Sequence, residues 1–208
     1  ADDHAAPKPL PKALWSTYEI PAGAKPSELE ASLKEYLKGE EKRGFNNCAM
    51  YKHEFGSPRA FYTTCTFDDI DHFARIMDGS PSVASPDEVQ LFGSHMDHIV
   101  LMTKQGMTKM PKYVLYASTA FAPHLNHVEM QAKAEEFYSA YDEGFGGCNR
   151  YEHAWGPELA FYATCGFESY ADFAAGVNMV MKIFEGRLAT ANLNILNHRD
   201  DILVKVMD

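Results

Sequence analysis

Gly44-Phe45-Asn46-Asn47-Cys48-Ala49-Met50-Tyr51-Lys52-His53 lies over Gly144-Phe145-Gly146-Gly147-Cys148-Asn149-Arg150-Tyr151-Glu152-His153 at an offset of 100. The match resumes at Gly56 and Gly156 and runs through Ala60-Phe61-Tyr62, Thr64-Cys65 and Phe67 over Ala160-Phe161-Tyr162, Thr164-Cys165 and Phe167. Twelve of the 24 positions from 44 to 67 are identical to their counterparts, which marks an internal duplication. Each stretch reads as a β-hairpin whose turn falls at Gly56-Ser57 or Gly156-Pro157. Glycine first and a negative-φ residue second suits a type II′ turn. That turn places Cys48 opposite Cys65, Tyr51 opposite Tyr62 and His53 opposite Ala60. Opposed residues of an antiparallel ladder have Cα atoms about 4.5–5.5 Å apart, within reach of a disulfide. Cys48–Cys65 and Cys148–Cys165 are therefore the expected bridges among three connectivities, one for each copy. A zinc site or a redox dithiol would favour closely spaced cysteines, and these are 17 apart.

Outward from the hairpin, each copy reads β-α-β-β-α-β. Leu14 to Ile20 and Tyr113 to Phe121 are rich in aromatic and β-branched residues and predict first strands. Leu29, Leu33, Tyr36 and Leu37, and Met130, Ala134, Phe137, Tyr138 and Tyr141, follow at helical spacing, with Ser27 and Asn126 as expected N-caps. Gly44 and Gly144 suit the helix ends. Asp68 to Met77 and Glu168 to Phe184 predict second helices. His95-Met96-Asp97-His98-Ile99-Val100 lies over His198-Arg199-Asp200-Asp201-Ile202-Leu203 after a three-residue shift, ahead of the closing strands. The expected organisation is an extended segment at 1–12, a first repeat at 13–104, a linker at 105–112 and a second repeat at 113–208.

This order is the ferredoxin-like pattern of an α+β fold. A tandem pair of such units resembles the dimeric α+β barrel superfamily, in which the antiparallel sheets of two units join into one barrel. The resemblance covers nearly the whole chain and rests on element order and duplication. It implies an internal pseudo-dimer, with further homo-oligomerisation open. It also implies the superfamily's range of activities, from cofactor-free monooxygenases to haem-degrading enzymes and chlorite-dismutase-like haem proteins. No family-specific catalytic motif accompanies it, so it speaks to fold more than to activity.

Strand alternation puts Tyr51, His53, Tyr62 and Thr64 on one face of the first hairpin and the cysteines on the other. Tyr151, His153, Tyr162 and Thr164 repeat the arrangement. A pocket is one reading, with His53 or His153 as general base or ligand, Tyr51 and Tyr151 beside them, and Tyr62 and Tyr162 orienting a small molecule. Core histidines hydrogen-bonded to neighbours are the other. His95 and His198, each two residues before an aspartate, are candidate metal ligands with an orienting carboxylate, or turn residues. His95-Met96-Asp97-His98 with Met102, Met107 and Met110 carries soft-metal donors, in the first copy alone.

The net charge of −10 lacks the basic footprint that nucleic acid demands. No apolar run reaches the ~18–20 residues of a spanning helix. Phosphate loops, nucleophile elbows and covalent haem motifs are absent from the sequence, whereas non-covalent haem leaves no short motif. Ala1-Asp2-Asp3-His4-Ala5-Ala6-Pro7 reads like a mature terminus after signal-peptide removal, and the paired cysteines fit a periplasmic or secreted protein. The expectation is a small-molecule-binding protein, either a cofactor-free oxygenase or isomerase, a haem- or transition-metal-binding protein, or a non-catalytic interaction module.

Overall fold

Both hairpins take the register that their turns dictate: Cys48 stands opposite Cys65 and Tyr51 opposite Tyr62, as Cys148 does Cys165 and Tyr151 does Tyr162. The computed structural model describes residues 9–56, 58–79 and 91–207. The first half comprises β1 (Lys12–Glu19), α1 (Pro26–Arg43), β2 (Cys48–Phe55), β3 (Ala60–Phe67), α2 (Ile70–Asp78) and β4 (His95–Lys104). The second comprises β5 (Tyr113–Phe121), α3 (His127–Phe145), β6 (Cys148–Trp155), β7 (Phe161–Phe167), α4 (Tyr170–Glu185) and β8 (Ile195–Met207). Gly56 and Gly156 have φ of +105° and +134°, and Ser57 lies outside the described residues.

The eight strands close into one antiparallel barrel in the order β1-β3-β2-β8-β5-β7-β6-β4. Each half supplies four consecutive staves, and the last strand of one half pairs with the second strand of the other. These two seams, β2–β8 and β4–β6, carry register shifts at Met50/Tyr51, His53/Phe55, Ile99/Val100 and Met102/Lys104. Such bulges bend a strand and help a sheet turn far enough to close.

Alternation then divides the apolar residues into two kinds of core. The cysteine-bearing face looks outward beneath the helices. Leu29, Leu33 and Leu37 of α1 pack there on Cys48, Met50, Phe61, Cys65 and Phe67. Phe137, Tyr138 and Tyr141 of α3 pack on Leu115, Cys148, Cys165 and Phe167. Burying each leucine contributes about 1.5–3 kcal/mol. Disulfides join Cys48 to Cys65 and Cys148 to Cys165 inside these layers. The opposite face encloses the lumen, where Ala13, Val100, Tyr151 and Tyr162 form one cluster and Ala49, Tyr51, Val114 and Leu203 another.

Several local expectations change. Lys25, not Ser27, is the N-cap of α1, because Pro26 is preset for the first helical position and starts the helix earlier. Asn126 does cap α3, in a full capping box with Glu129. Asp69 and Ser169 cap the second helices, one residue past the expected starts. Gly144 is not a helix end: α3 continues to Phe145 and closes on left-handed Gly146. Gly144 instead marks where α3 touches α4, since a Cβ there would sit 2.6 Å from Val180 Cγ2 and 2.7 Å from the Gly176 carbonyl oxygen. His198 lies inside β8 rather than ahead of it, and Lys12 already belongs to β1, whereas residues 1–8 fall outside the described set.

Two measurements follow from this packing. Gly144→Ala should destabilise the fold by about 1–3 kcal/mol through overpacking, visible as a lower urea midpoint. Replacing Cys148 and Cys165 together by alanine should cost about 2–4 kcal/mol, as expected for opening a loop of this length, while the far-ultraviolet circular dichroism of the folded state stays the same.

Candidate functional site

The lumen holds a cavity of about 480 Å³, within the ~300–1,000 Å³ of small-molecule pockets. An eight-stranded barrel is just wide enough for side chains to fill or for one small ligand. Trp15 of β1, Tyr51 of β2, Tyr62 of β3, Tyr116 of β5 and Tyr151 of β6 line its wall, with Thr64 and Thr164 between them. Trp15 meets Tyr116, Tyr151 and Tyr162 edge-on, with centroids 5.6, 4.6 and 5.2 Å away and planes crossed at 66°, 64° and 71°. Burial raises the pKa of Tyr62, Tyr116, Tyr151 and Tyr162. The nearby Asp201 carboxylate adds to the effect on Tyr62, and Glu158 to that on Tyr162. These hydroxyls stay protonated through the physiological range and act as hydrogen-bond donors.

The two ends of the lumen differ. Residues 105–112 cross one end, where Gln105, Met107 and Met110 line the cavity. The Asn149 side-chain oxygen fixes this strap by accepting from the backbone N–H groups of Gly106 and Met107 at 3.0 and 2.9 Å. The Tyr51 hydroxyl donates to Met110 Sδ at 3.6 Å. The hairpin tips approach the other end. There His98 of β4, only 7% exposed, faces the cavity directly across from Trp15 on the neighbouring strand. Its Nδ1 is buried without a hydrogen-bond partner, and a Cβ on Gly156 would come within 2.9 Å of that atom. Burial holds the His98 pKa below that of an ordinary histidine, against an opposing pull from Glu158, and the imidazole is neutral at pH 7. The corresponding position of the second half is Asp201, buried opposite Tyr116 and 3.0 Å from Arg199 Nε. Gly56 covers it as Gly156 covers His98, for a Cβ there would lie 2.1 Å from Asp201 Oδ1.

The structure places Tyr51, Tyr151 and Tyr62 on the cavity wall and Tyr162 in ring contact just behind it. His53 and His153 share the inward-facing rows but stand nearer the hairpin tips and off the cavity wall, each with a buried, unpartnered Nδ1. They lie on different seams and are not brought together. His153 stands opposite Val100, close enough to His98 to affect its titration. His95 and His198 lie on the outer face. His95 stacks on Tyr18 at 4.4 Å with Nε2 2.9 Å from Asp97. Both ring nitrogens of His198 are engaged, Nδ1 with Thr119 Oγ1 at 2.7 Å and Nε2 with Asp200 at 2.9 Å. Asp97 and Asp200 contact these rings, and among the described residues no group of three or more His, Cys, Asp or Glu side chains is placed to hold a metal ion. The His95–His98 run is split by alternation, His98 with Met102 inward and His95 with Asp97 outward.

A haem would meet the same geometry. A porphyrin would span the cross-section of so narrow a barrel, and Trp15 with its three tyrosines already occupies that section. Both ring nitrogens of His198 are committed as described, and His95 Nε2 is held by Asp97. A haem in the lumen would have to displace the Trp15 and tyrosine rings, with His98, among the described residues, as the histidine on the cavity wall. Sequence comparison of the repeats missed His98, Asp201, Arg199 and the Trp15/Tyr116 pair, because identity was the signal and these are the corresponding positions that differ.

No protein-family model and no curated protein matches the sequence. Solved structures do match in fold. A proposed monooxygenase from Fusobacterium nucleatum aligns with a TM-score of 0.62 at 9% identity, over 96% of this chain and 94% of that one. An anthrone oxidase-like protein aligns at 0.60 with 8% identity, over 94% and 91%. A mutant chlorite dismutase from Candidatus Nitrospira defluvii aligns at 0.54 with 10% identity, over 93% and 91%. At such identities the likeness is one of fold. With both four-stranded sheets of one polypeptide closed on each other, this chain is a dimeric α+β barrel in single-chain form.

Proposed function

We propose that the protein binds a small, largely apolar molecule in its barrel lumen and, without a cofactor, abstracts a proton from it, either returning the proton elsewhere on the molecule as an isomerase or, with dioxygen as co-substrate and oxidant, acting as an oxygenase. One observation carries this reading. Buried polar atoms without partners are rare in folded proteins, yet the buried Nδ1 atoms of His98, His53 and His153, all in the inward-facing rows, have none. Leaving such groups unsatisfied costs about 1–3 kcal/mol each, so a site that keeps them is organised for something other than stability. The wall is otherwise aromatic and apolar, with few polar groups, as small-molecule sites are.

In this reading neutral His98 is the general base, available because burial withholds its proton. His153 backs it, and His53 holds the equivalent place in the second seam. Tyr51, Tyr151 and Tyr62 donate hydrogen bonds that orient the ligand and meet developing negative charge. The two disulfides support a location outside the reducing cytosol, periplasmic or secreted. No helix among the described residues is long and apolar enough to cross a membrane. The monooxygenase and anthrone oxidase-like neighbours support the oxygenase class, and the chlorite dismutase supports a competing reading as a haem protein.

An absorption spectrum of the protein isolated from its native compartment separates these: a Soret band selects the haem protein, and a colourless protein is expected. A thermal-shift screen of small apolar compounds should then yield ligands. Thr64→Phe, which fills the lumen beside Trp15, should abolish their binding at a stability cost of about 1–3 kcal/mol. His98→Gln should retain binding and lower turnover by roughly 10²–10⁴-fold.

The same residue predicts a pH dependence. The folded state keeps His98 neutral, while the unfolded chain takes up its proton near an ordinary pKa of about 6.5. The unfolded state therefore binds more protons as pH falls below about 6.5, and stability declines in that direction. Urea midpoints compared at pH 7.5 and 5.5 should fall less for His98→Gln than for the wild type; equal falls would rule out a neutral, buried His98.

A further inference from the structure

The cavity wall combines aromatic faces with a one-sided balance of charge. Among the described residues it carries a carboxylate, Glu41, and neither lysine nor arginine. Glu41 is anchored at the strap end, where its Oε1 accepts the Cys48 backbone N–H at 2.9 Å. At the hairpin-tip end the guanidinium of Arg199 is matched by Asp201 at 3.0 Å, which leaves Glu158 as the surplus charge beside Tyr62, Tyr116 and Tyr162. His98 adds no positive charge at pH 7. On the cavity wall Trp15 meets Tyr116 and Tyr151 edge-on at 66° and 64°, so the rings turn two corners of the lumen.

Aromatic faces attract cations through their quadrupole, the effect strengthens when the cation is desolvated, and quaternary ammonium groups are held in cages of such rings. An anion would meet the negative faces of the rings and, among the described residues, no lysine or arginine on the cavity wall. A neutral apolar molecule would fit the walls but leave the excess negative charge unused. The net charge of −10 also draws cations toward the molecule. Resting on the reading of the lumen as a small-molecule site, we propose that its ligand carries an organic cation, an alkylated ammonium group seated between Trp15, Tyr116 and Tyr151. The methionines of the strap, polarizable and adaptable, contact the remainder of the molecule.

Three probes of nearly one shape test the charge. Choline, 3,3-dimethylbutan-1-ol and 3,3-dimethylbutanoate are positive, neutral and negative in turn, and each is titrated calorimetrically into the intact protein at pH 7.5 and low salt. Choline should bind about tenfold or more tightly than the alcohol, and the carboxylate should not bind. Trp15→Leu should remove the preference, whereas Val128→Ala, on the exposed face of α3, should retain it. If the alcohol or the carboxylate binds as tightly as choline, the cation site is overturned and the lumen remains a neutral small-molecule pocket. If none of the three binds while apolar compounds from the thermal-shift screen do, the cation site again fails alone. If neither set binds, both readings fall. The wild-type series decides even where Trp15→Leu does not fold.

Discussion

Every strand of a closed barrel has two committed faces, and the two-residue period of the hairpins settles what each face does. In this protein one parity carries Cys48, Cys65, Phe61 and Phe67 to the helices, and the other carries Tyr51, Tyr62 and Thr64 to the lumen. A slip of one residue would bury the hydroxyls under α1 and turn the cysteines into the cavity. The disulfide lies directly across the ladder at the base of each hairpin, so it pins the register on which both faces depend. The outer cores beneath the helices and the hairpin share of the aromatic lumen descend from that one constraint.

Closure adds what the hairpin alone lacks. Four strands from each half make an open sheet with two edges, and each edge is covered by the other half at the β2–β8 and β4–β6 seams. Those seams bring His98 of the first half beside β6 of the second, and Asp201 beside β2 of the first. The site is therefore assembled between halves. Neither half contains it, although each contains all the residues of its own hairpin face.

This explains which features were legible in the sequence. Hairpin register, cysteine pairing, the N-cap at Asn126 and the order of elements depend on neighbours within about twenty residues, and local chemistry specifies them. The face that would meet the helices could not be read, since Tyr-rich and Cys-rich rows are both apolar enough to be buried. Gly144 looked like a helix end because its other role, the close approach of α3 to α4, involves Val180 and Gly176 far along the chain. His53 and His153 drew attention because both copies retain them, and His98 as a soft-metal donor, whereas the place of His98 in the lumen emerged only once β4 was set against β1 and β6. His95 and His198 were equally conspicuous in pattern, and a single parity step put them on the outside.

The difference between His98 and Asp201 shows what a single chain permits. Two identical subunits related by a twofold axis would line such a lumen with two histidines or with two aspartates. Two neutral imidazoles would give it no fixed charge, and two carboxylates facing one small cavity would disfavour each other's ionisation. Within one polypeptide the two positions are free to diverge while the folds around them stay alike, each beneath its own hairpin glycine, Gly156 or Gly56. Trp15 and Tyr116 have diverged in the same layer, next to those same two residues. The result is a lumen with a neutral imidazole on one side and, opposite Tyr116 on the other, an aspartate paired with Arg199, an asymmetry that two identical subunits could not build.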